Sequence, residues 1–308
     1  MLYAVLMDPT ADRRAIPVYL LFTWSASSLF YFLIIRSAGT RAADGAYTSG
    51  LMWCPAIGAL LACKYLGRPI ASLGWKWGRT RYQVISYLIP LGYSAVTYSV
   101  AWLTGIAALN PIQTAEAFTR FFGLGQLSRP AGVGFIFLDV ATIGVIQNCA
   151  TTLGEEIGWR GFALPRMQAR YGPLWGTLQL GIAWGFWHAL FFLTPDHGGG
   201  PGTSFITLLI SFFLFLLMVI GLAIIFTWVF NHTHGSLFIA SLLHSSIDTP
   251  QLVWIPLFPG LTETRLDLAL LIGLGLPALL IVILTRCRLG YQPGGDMAKE
   301  IAGRLELN

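Results

Sequence analysis

Charged positions in this chain come in short clusters, and between the clusters lie long apolar runs. No Asp, Glu, Lys or Arg occurs in 15–35, 45–63, 82–115, 140–154, 171–195, 197–247, 249–262 or 268–285. Most of these runs reach the ~20 residues that an α-helix needs to cross hydrocarbon. The longest, 197–247, has to turn back once, and Asn231-His232-Thr233-His234-Gly235 is the place for it. The pattern predicts an all-α fold, a polytopic membrane helical bundle with about eight transmembrane helices. They lie near 17–37, 47–64, 84–106, 131–168, 174–194, 204–230, 236–249 and 266–286. Gly172-Pro173 predicts a hairpin between the fourth and fifth helices, and Pro250 an end to the seventh.

Composition agrees: 55% of the 308 residues are hydrophobic and 11% charged, with mean hydropathy +0.66. Soluble proteins carry about 25% charged residues. A single membrane domain is expected over 1–308, closing in a cytoplasmic tail at 287–308. Of the 19 Lys and Arg, 14 fall on the side shared by the two ends, Arg160 among them. The other 5 are Arg36, Arg41, Arg120, Arg129 and Arg265. The positive-inside rule then predicts a multi-pass cell-membrane protein with both termini cytoplasmic. The net charge of +5 flanks apolar helices, so topology explains it and no nucleic-acid partner is expected.

Cys54, Cys63, Cys149 and Cys287 lack CxxC spacing and imply neither disulfides nor a zinc framework. The N-terminus lacks a cleavable signal pattern, so the first helix is expected to target the chain itself. Tyr65–Tyr82 mixes Trp, Tyr and basic residues and reads as a loop anchored at the lipid headgroups. Residues 107–130, with Phe118, Phe121 and Phe122 at helical spacing, read as a helix lying on the membrane surface.

Ionisable residues inside membrane helices are costly and therefore draw the eye. Asp139 stands alone on the fourth helix and reads as a hydrogen-bonded or cavity-facing carboxylate. Sixteen residues on come Glu155 and Glu156, about 100° apart around a helix and so unable to share one task symmetrically. Glu156 and Arg160 are i, i+4 with the acid first and are expected to pair. That leaves Glu155 without an ion partner on its helix and with Trp159 as its i+4 neighbour, a setting suited to a general base. Glu155 lies 17 residues before Gly172 and His188 lies 15 after Pro173, which puts them at matching depth in the hairpin. The pairs Gly154/Gly158 and Gly181/Gly185 allow neighbouring helices to close in around them. His244 and Asp248, again i, i+4, share a face of the seventh helix. His232 and His234 read as solvated turn residues.

These pieces, EExxxR at Glu155–Arg160 with Gly161-Phe162 following, aromatic-xxx-His at Trp184–His188, and HxxxD at His244–Asp248, resemble the CAAX-protease and bacteriocin-processing family of intramembrane proteases, the Abi or Rce1-like group. The motifs cover roughly 150–250, the expected catalytic core. Two positions depart from the commoner pattern: Trp184 stands where Phe is usual, and Asp248 where Asn is common. The resemblance implies an intramembrane endopeptidase acting on a peptide or prenyl-peptide substrate within or near the lipid membrane. Glu155 with His188 would deprotonate a water, His244 and Asp248 would steady the oxyanion, and Glu156 with Arg160 would fix the fourth helix. The cofactor is open: the same residues would make a zinc set, while a metal-free, glutamate-activated water is slightly favoured. An alternative is a non-catalytic scaffold or bacteriocin self-immunity protein using the same polar cluster. A transporter is a further alternative, although paired broken helices are not evident.

Overall fold

The computed structural model describes residues 9–37, 41–105, 116, 119, 123–125, 127–194, 202–257 and 263–292. Most of the expected surface helix over 107–130, with its three Phe residues, and all of the tail beyond 292 lie outside the described residues. Within them the chain is helical: α1 (Pro9–Ser37), α2 (Arg41–Tyr65), α3 (Thr80–Leu103), α4 (Arg129–Ala141), α5 (Ile143–Glu156), a π-helical stretch (Ile157–Ala163), α6 (Leu164–Tyr171), α7 (Pro173–Trp187), α8 (Phe205–His232), α9 (Leu237–Leu257) and α10 (Glu263–Leu284). Short 3₁₀ turns stand at Ile70–Leu73 and Ala189–Leu193. With α4 to α6 taken as one rod, each predicted helix has its counterpart. Among the described residues, four helices are long and apolar enough to cross a membrane: Arg13–Ser37, Gly45–Tyr65, Pro130–Tyr171 and Phe205–His232.

The rod from α4 to α6 is the structural axis. α5 packs on α2 to one side and on α9 to the other; α7 folds back on α6 and leans on α8. α8 is covered by α10, and α3 lies against α9 and α10. Glycines set the closest approaches. A Cβ on Gly154 would sit 2.7 Å from the Met52 carbonyl oxygen, and one on Gly158 2.5 Å from Pro55 Cβ, so only glycine lets the rod meet α2. Gly181 does the same for α7 against Ile220 of α8. The hairpin forms where predicted: Gly172 takes a φ of +81°, and Pro173 opens α7.

Three expectations about helix shape are corrected. The fourth helix, expected as one element over 131–168, is not continuous: Thr142 (φ −135°, ψ −83°) interrupts it, and the ladder widens to π pairing over Ile157–Ala163. The fifth helix ends at Trp187 and tightens to 3₁₀, with His188 as the residue between the two. Pro250 does not end the seventh helix, which runs on to Leu257. The missing proline N–H costs one backbone bond, a loss that neighbouring helices make tolerable in a membrane bundle.

One end of the bundle is tied together. Arg170 donates to the Arg13 carbonyl at 3.5 Å, Asn231 to the Leu289 carbonyl at 2.9 Å, and Leu237 N–H to the Gly74 carbonyl at 3.0 Å. Ser236 hydroxyl reaches the Lys76 carbonyl at 2.6 Å, fastening the Tyr65–Tyr82 loop to the start of α9. Tyr65, Trp75 and Trp77 in and beside that loop are exposed.

Candidate functional site

The π-helical stretch carries bulk and charge into the interior. Trp159, Arg160 and Phe162 are completely buried there, with Gly158 before them and Gly161 among them allowing α2 and the Leu73 carbonyl to close in. π stretches recur at functional sites. Here the stretch starts directly after the two glutamates.

Glu156 and Arg160 pair as the spacing predicts, Nη1 to Oε1 at 3.0 Å, with neither side chain exposed. Arg160 therefore lies inside the bundle, where its burial corrects its place among the flanking cytoplasmic charges. The guanidinium is sandwiched over two aromatic rings, 4.0 Å from the Trp184 ring centroid and 4.3 Å from that of Phe226. A desolvated cation over such faces gains about 2 kcal/mol, which helps offset the cost of burying it.

The same Glu156 oxygen is also 2.8 Å from His244 Nδ1. On the far side of that ring, Nε2 lies 3.2 Å from Asp248 Oδ2, the i, i+4 contact anticipated on α9. His244 thus bridges a fully buried carboxylate and a part-exposed one. The link between α5 and α9 through Glu156 was not legible from spacing.

Glu155, 2% exposed, points elsewhere: its Oε2 accepts a hydrogen bond from Trp184 Nε1 at 2.7 Å. Its aromatic neighbour is therefore Trp184 and not Trp159, whose ring instead packs with Tyr19 and Trp187. His188, one turn after Trp184, sets its Nδ1 2.9 Å from the Trp184 carbonyl oxygen. The rings of His188 and His244 lie 6.0 Å and 5.6 Å from that of Trp184. Residues from all three motifs accordingly meet on a single tryptophan. The signal that could have singled it out was chemical: a buried indole N–H requires an acceptor.

Asp139 is buried on α4, on the other side of the Thr142 break from these residues. Among the described residues, Glu156 Oε2, Arg160 Nε, Arg160 Nη2 and Trp159 Nε1 have no hydrogen-bond partner. No group of three or more His, Cys, Asp or Glu is arranged to hold a metal ion among the described residues. His244 already bonds a carboxylate at each ring nitrogen, so this donor set as arranged does not fit zinc, which takes a bare imidazole nitrogen.

An apolar helical bundle that holds two buried glutamates, a buried arginine, a buried histidine and a part-buried one defines a polytopic membrane protein with a polar site among its helices. Residues 137–249, from α4 into α9, match the family model for type II CAAX prenyl endopeptidase Rce1-like proteins. Over 129 residues the chain is 32% identical to a "CAAX prenyl protease 2" of Methanococcus maripaludis, an alignment covering 42% of this chain and 46% of that one. The chain thus spans about half the length of the curated relative it matches. Over the matched residues, which hold all three motifs, the chain is similar to Rce1-like CAAX prenyl endopeptidases.

Proposed function

We propose that the chain is an intramembrane endopeptidase that hydrolyses a peptide bond near the membrane face, with a prenylated peptide as its substrate class. It resides in the cell membrane with both termini in the cytoplasm. The observation that carries the reading is the meeting of Glu155, His188 and His244 on Trp184, inside a bundle of mostly apolar helices.

In this reading Glu155 takes a proton from a water shared with His188, and the resulting hydroxide attacks the scissile carbonyl. General-base assistance of this kind contributes about 10²–10⁴-fold. The negative charge that then develops on the carbonyl oxygen needs donors already in place, often the larger effect. His244 supplies one once Nε2 exchanges Asp248 for the oxyanion. Asp248 is the partner that can yield, being farther away and 36% exposed, while Glu156 keeps hold of Nδ1. Asp248 acts as an orienting residue, since an ionised carboxylate would repel the oxyanion. Glu156 and Arg160 hold His244 to the axis rod. The unpaired polar atoms of Glu156, Arg160 and Trp159 favour a wet interior, because an unmet buried donor or acceptor costs about 1–3 kcal/mol. No step passes through a metal.

The competing reading is a non-catalytic scaffold or immunity protein, favoured by the full engagement of His244 by two carboxylates. Glu155→Gln, purified in detergent and given a farnesylated CAAX-type peptide, separates the two. The peptidase reading expects turnover to fall by about 10²–10⁴-fold with the fold retained. Undiminished cleavage removes Glu155 as the base, and a biological phenotype that survives Glu155→Gln and His188→Ala supports the scaffold.

A further inference from the structure

We infer that Trp184 is a positioning residue, whose indole N–H fixes the Glu155 carboxylate so that one oxygen is held and the other is aimed at the water. The inference rests on the peptidase reading and deepens it, because the resemblance by itself gave Trp184 nothing beyond aromatic packing.

The geometry is specific. At 2.7 Å the Nε1–Oε2 bond is short for N–H···O and is of the charge-assisted kind. A glutamate side chain has three rotatable torsions, and tying Oε2 to a rigid ring removes most of that freedom. Oε1 is left to accept the proton. The ring itself is held on every side: Arg160 lies over its face, His244 and Phe226 meet it at ring distances of 5.6 Å and 5.9 Å, and its own carbonyl takes His188 Nδ1. Gly181 and Gly185, which flank it on α7, let the helix backbone press against Ile220 and Leu216 of α8, so the ring is carried by a seated helix. Base, second histidine and oxyanion donor therefore all meet one residue, Glu155 and His244 at its ring and His188 at its backbone carbonyl. Trp184→Phe keeps an aromatic ring at this position but removes the N–H donor together with part of the ring volume.

The test uses the full chain in detergent micelles with ¹⁵N-indole labelling. Among the 11 tryptophans, the Trp184 indole signal is the one absent from Trp184→Phe. It is expected to move when Glu155→Ala removes the acceptor; an unmoved signal overturns the contact and the inference with it. On a farnesylated peptide, Trp184→Phe is expected to lower kcat by about 10- to 100-fold, with KM altered less than about twofold. Its melting temperature is expected to fall modestly, as the lost ring volume at a buried site requires whether or not the N–H matters, so the kcat-against-KM split decides. A kcat equal to that of the wild type overturns the positioning role. If the indole signal responds to Glu155→Ala but Glu155→Gln still cleaves at the full rate, the contact stands and the base assignment fails, taking the positioning role with it.

Discussion

Glu156 holds two partners through one oxygen: Arg160 Nη1 at 3.0 Å and His244 Nδ1 at 2.8 Å both meet Oε1. Removing it strands a buried guanidinium as well as a histidine, and breaking a buried ion pair costs about 3–5 kcal/mol. Glu156→Ala should therefore lower unfolding stability by about that amount in a denaturant titration in micelles. Glu155→Gln should cost under about 1.5 kcal/mol, because the amide oxygen still accepts from Trp184. Equal losses in the two variants would contradict the division of labour between the neighbouring glutamates. Much of this was legible where partners share a helix: the Glu156–Arg160 and His244–Asp248 pairs follow from i, i+4 spacing alone. The Glu156–His244 bond spans 88 positions, and no local periodicity encodes it. The role of Trp184 was hidden for another reason, because hydrophobic patterning counts a tryptophan as apolar and ignores its N–H.

Among the elements, the axis rod depends on the absence of side chains where it meets α2. A valine at Gly158 would drive Cβ to within 2.5 Å of Pro55 Cβ and 2.6 Å of its carbonyl oxygen, and backbone cannot yield as a side-chain tip can. Overpacking costs about 1–3 kcal/mol, so Gly158→Val should lower the melting temperature clearly. Gly92→Ala on α3, where an added Cβ meets nothing within 4 Å, should leave it unchanged or slightly raised. Matching losses at both positions would show that helix propensity, and not close approach, decides. The helices themselves, the Gly172-Pro173 hairpin and the turn after His232 could be read from apolar runs and breakers. The Thr142 interruption, the π stretch and the passage of α9 through Pro250 could not. Each is settled by packing between helices, which overrides the local preference of the chain.

Over the whole molecule, the contacts joining Arg13 to Arg170, Asn231 to Leu289 and Leu237 to Gly74 gather the chain's basic clusters at one end. With Arg160 recognised as interior, the asymmetry of the remaining positive charges still supports the proposed topology, in which that end faces the cytoplasm. A membrane-impermeant maleimide applied to intact cells should label Arg36→Cys and spare Arg170→Cys, in a background cleared of the exposed Cys287. The reverse labelling would invert the proposed topology. The central claim is narrower than topology: a buried glutamate turns a water into the nucleophile. Single-turnover cleavage of a farnesylated peptide in water enriched in heavy oxygen tests it most directly, with mass analysis of both product and protein. The account predicts one heavy oxygen in the new carboxyl terminus of the peptide and none in Glu155. Label in the Glu155 side chain, or product released without label, would contradict it.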